Sequence, residues 1–141
     1  MVKKIILEYT QEFDYLLFAI VSFEKDYKLI WDINTNLGID FLRMEDYSVF
    51  SRRTGKEQLF SCFNFKDENS YMNYKLLSNK SENGLLLDEL KGIDYLLLIS
   101  GEYPEDFVND FMSRLNNISS IQNVFNIDPS ELKSKEKLVI D

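Results

Sequence analysis

Histidine is absent from the 141-residue chain. That removes Ser-His-Asp and Cys-His machinery, histidine metal sites and the commonest general base near neutral pH. Catalysis would have to rest on carboxylates, lysine, tyrosine or a borrowed cofactor. Cysteine occurs once, at Cys62, which excludes an intramolecular disulfide framework and a cysteine-rich zinc site. Cys62 lies in the partly alternating run Leu59 to Phe65, with nothing nearby to lower its pKa, so it reads as an ordinary thiol rather than a nucleophile. The five glycines stand singly at 38, 55, 84, 92 and 101, and none forms a phosphate-cradling loop before a helix. No calcium-loop spacing is present either. No cofactor and no bound metal are expected.

Long hydrophobic runs are also missing. The longest, Tyr15 to Val21, is far short of the roughly twenty residues of a membrane helix. Near the start, Ile5-Ile6-Leu7 is stopped by Glu8, too short for a signal peptide. A cytoplasmic protein with no membrane partner is expected. Acidic residues outnumber basic ones by 24 to 16, a net charge of −8. This balance argues against a nucleic-acid backbone as partner, since that selects for a basic face.

What the chain does have is apolar bulk: 45% hydrophobic and 14% aromatic residues, enough for an aromatic-rich core in one domain. Lys4–Tyr9 and Phe13–Val21 read as strands, the second apolar enough to be covered on both faces. Ser22 is placed as an N-cap for a helix ending at Gly38, with Tyr27, Ile30, Trp31 and Leu37 on its buried side and Leu29 and Ile33 widening the stripe. Ile39–Glu45 reads as a strand. A meander follows, with strands at Tyr47–Arg52 and Glu57–Phe65 joined by a turn at Arg53-Thr54-Gly55-Lys56. Tyr71–Leu77 fits a strand or a helical face. Ile93–Ser100 is a strand broken by Gly101, and Pro104 opens a helix whose apolar face is Phe107, Val108, Phe111, Met112 and Leu115. Ile118–Ile127 returns as a strand. Residues 1–128 thus form one domain, and 129–141 a short helix or tail.

Two segments echo each other at an offset of eighty residues: Phe13-Asp14-Tyr15-Leu16-Leu17-Phe18 and Ile93-Asp94-Tyr95-Leu96-Leu97-Leu98. Phe23, Tyr27 and Trp31 then align with Tyr103, Phe107 and Phe111. Each copy runs strand, helix, strand. The expected fold class is α+β, an antiparallel-dominated sheet with two helices on one face, as a ferredoxin-like β-α-β duplication with an inserted β-meander.

The stretch Leu87-Asp88-Glu89, three residues, then Ile93-Asp94-Tyr95, resembles the signature Ile-Pro-Glu-x-x-x-Val-Asp-Tyr of the IPExxxVDY family of small, uncharacterised bacterial proteins. Glu89, Asp94 and Tyr95 match it identically, Leu87 and Ile93 are similar, and Asp88 stands where the family has proline. The pattern up to about Ile99 is similar as well. The family has no assigned activity, so the resemblance implies a cytoplasmic single-domain protein and no functional residues to carry over.

Two groups of residues are candidates for binding. Glu89, Asp94 and Tyr95 bring two carboxylates and a phenol near a strand's start, where they would hold a cation or, on the more favoured reading, anchor the strand. Arg52, Arg53 and Lys56, with Arg43, concentrate positive charge on a hairpin tip, for contact with phosphate or an acidic partner or simply to block edge pairing. Eight acidic residues and one basic residue between Glu82 and Asp110 read as a solvated face. Phe41, Tyr47, Phe50, Phe60, Phe63, Phe65, Tyr71 and Tyr74 exceed what one sheet face needs, which points to a homodimer through the meander. The expectation is a non-enzymatic interaction or ligand-binding module that self-associates. The alternative is an enzyme using carboxylate and tyrosine chemistry.

Overall fold

The computed structural model describes residues 15–82 and 84–138. The strand expected at Lys4–Tyr9 and the first two residues of Phe13–Val21 lie outside them. Strand β1 (Leu16–Val21) leads into helix α1 (Asp26–Leu37) and the short β2 (Leu42–Arg43). Next come β3 (Tyr47–Ser51), β4 (Lys56–Phe60), β5 (Cys62–Asp67), β6 (Met72–Ser78), β7 (Lys80–Ser81) and β8 (Gly84–Leu85). Then come β9 (Tyr95–Ser100), α2 (Phe107–Asn116), β10 (Asn123–Ile127) and two single 3-10 turns, Pro129–Glu131 and Lys135–Lys137.

The main sheet has six strands in the order β10-β1-β9-β6-β5-β2, and every neighbouring pair is antiparallel. Two of its interior strands, β1 and β9, alternate between two separate cores. Phe18 and Ile20 of β1 and Tyr95, Leu97 and Ile99 of β9 pack with Leu29, Ile30, Ile33 and Leu37 of α1 and Phe111 and Leu115 of α2. Leu17, Ala19, Leu96 and Leu98 point the other way, into a core closed by Phe60, Leu86, Leu87, Ile93, Leu132 and Leu138. Covering on both faces is why these strands read as unbroken apolar runs. The expected α+β class, with a mainly antiparallel sheet and both helices on one face, holds.

The alternation also settles the Tyr71–Leu77 segment as strand from Met72 on, Tyr71 itself being a turn residue with φ of 61°. Met72, Tyr74 and Leu76 face the helices while Leu77 faces away, a period of two. Among these residues the helix-side core is aromatic: Tyr74 lies 5.3 Å from Phe65, 5.9 Å from Phe111 and 6.2 Å from Phe41, ring to ring.

Several expectations are corrected. The strands at 39–45 and 118–127 shrink to Leu42–Arg43 and Asn123–Ile127, because Ile118 to Ile121 forms a turn closed by Ile121 N–H to the Ile118 carbonyl. The residue capping α1 is Lys25, not Ser22, whose hydroxyl is committed to the Ser120 carbonyl at 2.6 Å. Gly38 ends the helix as expected, in the left-handed conformation, with its N–H on the Asn34 carbonyl. The meander extends the sheet only in part. β5 and β6 pair within it, while β3 and β4 form a hairpin that helps cover the second face.

The ferredoxin-like detail is not established. β6 and β5 stand between β9 and β2, and the echoed segments are out of phase. Leu17 faces the second core whereas its counterpart Leu97 faces the helices, and Phe18 and Leu98 are reversed likewise. A slip of one residue in a strand exchanges its faces. With both faces buried, either phase satisfies an apolar run, so the likeness of the strings carries no likeness of packing. The helices disagree too: Phe111 is buried, whereas Tyr27 and Trp31, placed on the buried side of α1 from the sequence, are exposed.

Gly101 is the tightest backbone position. Its φ is 105°, and a β-carbon there would lie 2.7 Å from the Tyr71 carbonyl oxygen. A Gly101→Ala variant is expected to lose at least about 1–2 kcal/mol, since both the dihedral and the contact resist a side chain. A lowered urea midpoint with unchanged slope is the expected result.

Candidate functional site

Glu89, Asp94 and Tyr95 do not form one site. The chain passes from the second face to the helix face between Glu89 and Tyr95, and each residue is committed to a different layer. Glu89, exposed at the surface, accepts hydrogen bonds from the Lys133 and Ser134 backbone N–H groups and from the Ser134 hydroxyl. Asp94 lies between the layers: one carboxylate oxygen accepts the Ser22 N–H at 2.9 Å and the other meets the Lys80 ammonium at 2.7 Å. Tyr95 is buried on the helix side and donates its hydroxyl to the Glu24 carbonyl at 2.6 Å.

Electrostatics follow from these partners. Burial tends to raise the Glu89 pKa, but hydrogen bonds from Ser134 and Lys133 outweigh it and hold the carboxyl below its usual value. Burial, with Asp26, Asp94 and Glu24 nearby, pushes the Tyr95 phenol up to about 12. The phenol therefore stays protonated and donating across the physiological range. None of the three residues lines either cavity described below.

Asn79 organises this region and was not singled out from the sequence, where it is one polar residue in a polar loop. It is 0% exposed. Its side-chain amide donates to the Leu90 and Ile93 carbonyls at 2.9 and 3.0 Å, and its oxygen accepts the Leu87 N–H at 2.9 Å. Its backbone adds bonds to Asp94 and Leu86. One asparagine thus satisfies five backbone groups of the irregular stretch from Leu86 to Asp94, which carries Leu86, Leu87 and Ile93 into the second core.

A second buried polar link joins α1 to the sheet. The Ser120 hydroxyl donates to Asp32 at 2.6 Å, and Lys28 meets the other Asp32 oxygen at 3.0 Å. The Ser120 hydrogen bond is the main reason that the Asp32 pKa lies below its ordinary value. With Ser22 bonded to the Ser120 carbonyl, the end of β1, the turn before β10 and the helix are tied together.

The basic candidates divide. Arg52 and Arg53 line a cleft of about 650 Å3 bounded by the β3–β4 tip, Gly84 to Asp88 and the 3-10 turn at Lys135–Lys137. Lys56, the first residue of β4, does not line it. Arg43 belongs to another surface, bonded to Asp26 and Asp46. A smaller cavity of about 190 Å3 lies where Asn64 pairs with Lys75 and Lys66 with Asn73, on the open polar end of the second sheet face. The acidic run is dispersed: Asp88 pairs with Lys137 at 3.5 Å and Asp94 with Lys80, while Glu102, Glu105, Asp106 and Asp110 are exposed.

The aromatic surplus is largely absorbed by the molecule itself. Phe41, Phe60, Phe63 and Tyr74 are buried and Phe65 and Tyr47 half-buried, leaving Phe50 and Tyr71 exposed. The larger exposed row is elsewhere: Phe23 just before α1 is 85% exposed, and Tyr27 and Trp31 within it are 68% and 61% exposed. No protein-family model matches the chain, and no curated protein matches it.

An Asn79→Ala variant strands two carbonyls and one N–H in a buried site and should destabilise by about 3 kcal/mol, read as a lower urea midpoint. For Glu89 the sign is that of a depressed carboxylate. Its contribution is present above the unfolded pKa and is lost as pH falls through the lower folded value. Amide NMR should show the Lys133 and Ser134 signals released as pH drops below that of an unperturbed glutamate. In Glu89→Gln the same signals should be partly released at neutral pH and respond little to acid.

Proposed function

We propose that the protein is a non-enzymatic interaction or ligand-binding module that self-associates, and that the contact between copies is made by α1 rather than by the meander. The observation that carries this reading is the row Phe23, Tyr27 and Trp31, three large aromatic side chains at four-residue spacing and mostly in solvent. Tyr27 and Trp31, four apart in a helix, occupy one face. Aromatic residues are enriched where proteins meet. Pairing two such rows antiparallel, Phe23 against Trp31 about a two-fold axis near Tyr27, would enclose six rings. That amounts to roughly 800 Å2, about half of what a standard interface buries. Charge permits the approach. Glu24, Lys25, Asp26 and Lys28 around the row sum to zero within a chain of net charge −8.

The enzyme reading receives less support, because Glu89 and Tyr95 are spent on backbone hydrogen bonds and Asp94 on an amide and an ion pair. Membership of the IPExxxVDY family is part of the proposal and rests on the motif at Leu87 to Tyr95. So is a cytoplasmic setting. Among the described residues no helix is long and apolar enough to cross a membrane.

Trp31 is the only tryptophan, so its emission reports directly on the proposed contact. Size-exclusion chromatography with light scattering should give a dimer, with a blue shift of Trp31 emission as concentration rises. Tyr27→Glu should give a monomer with unchanged melting, and Phe50→Glu on the β3–β4 hairpin should leave the dimer intact. A monomer throughout, at several hundred micromolar, would sink the proposal.

A further inference from the structure

The cleft under the β3–β4 tip has features that the interaction reading does not use. In a strand, consecutive side chains face opposite ways, but Arg52 and Arg53 lie in the turn after β3 and both line the same cleft. The turn is closed by Gly55 N–H to the Ser51 carbonyl at 2.8 Å. Among the described residues neither arginine has a carboxylate partner, although the chain carries 24 acidic side chains. Opposite them, Asp88 and Lys137 neutralise each other at 3.5 Å and tie two of the cleft's three walls together, and Glu136 is the other acidic lining residue, which leaves the lining with a net charge of +1. Gln58, 7% exposed, supplies a lining amide, and Val49, Phe50 and Leu85 supply apolar surface.

We infer that this cleft is a binding site for a small organic anion, one carboxylate or phosphate group on a compact apolar body. Arg52 and Arg53 hold the anionic group as paired planar donors, a geometry that suits both carboxylate and phosphate. The wall of Val49, Phe50 and Leu85 takes the apolar body. The volume of about 650 Å3 is that of a small-molecule site. Arg52 and Arg53 are exposed, but both border the recess and give its lining a net positive charge, whereas Lys56 does not border it.

The test is calorimetric titration of the full chain with benzoate, phenyl phosphate, inorganic phosphate and neutral benzamide. Saturable binding of benzoate or phenyl phosphate, tighter than inorganic phosphate and absent with benzamide, is expected. Whichever of the two binds more tightly identifies the anionic group. Arg52→Gln and Arg53→Gln should each weaken it about tenfold. Lys56→Gln, outside the cleft, should leave it unchanged, and so should the Tyr27→Glu variant, which separates this site from self-association through α1. Both arginines lie in a turn, and matching urea midpoints would confirm that the variants fold. No saturable binding of either organic anion, equal binding of benzamide, or undiminished binding by the double arginine variant would overturn the inference. A double variant that changes only the oligomeric state would overturn it in favour of a protein face.

Discussion

Everything in this structure follows from having two adjacent interior strands, β1 and β9, that are apolar on both faces. Neither can be left half in water. The helices supply one cover, and the described residues include no further α-helix with which to make the other. The second cover is assembled instead from a hairpin, the irregular stretch from Leu86 to Ile93 and the segment after β10. Irregular backbone is a costly cover, since its N–H and C=O groups have no ladder to satisfy them. Two polar side chains with three hydrogen bonds each, Asn79 and Glu89, serve that cover for that reason. Asn79 supplies the missing partners for one irregular stretch, and Glu89 fastens another to it.

Seen this way, the Leu87 to Tyr95 motif is a seam between layers. Glu89 holds the outer cover, Asp94 joins the ends of β1 and β9 through Ser22, and Tyr95 fixes the chain entering α1. Three residues that look like an acid-base cluster as a string are directed to three places by the strand's alternation and the turn before it. Chemistry of that kind needs convergence, and the motif diverges.

The elements were largely legible because their signals are local. Period-two alternation, the Gly38 stop, the Pro104 start and the five apolar positions of α2 are read within a window of a few residues. What was not legible depends on partners distant in sequence. The exposure of Tyr27 and Trp31 could not be read from α1, because its apolar residues cover more of the helix circumference than the sheet can bury; the choice of Leu29, Ile30 and Ile33 was made by the strands beneath. The phase of the echoed strands was hidden for a related reason, as two-sided burial erases the alternation that marks a face. Arg52 and Arg53 were visible as charge at a turn, but the recess they border is completed by residues more than thirty and eighty positions later.

The same arrangement sets an order of events during synthesis. β1 cannot pair with β9 until some eighty residues separate them on the growing chain, and the helix-side core is complete once Val124 has emerged. The opposite face, with Leu17, Leu96 and Leu98, still waits for Leu132 and Leu138. For that interval the second face is covered only by the hairpin and the Leu86 to Ile93 stretch, and the apolar surface still open is of the kind that chaperones bind. Glu89, already in place on its loop, is then the first polar group that can capture the arriving Lys133–Ser134 backbone and bring the last two leucines down.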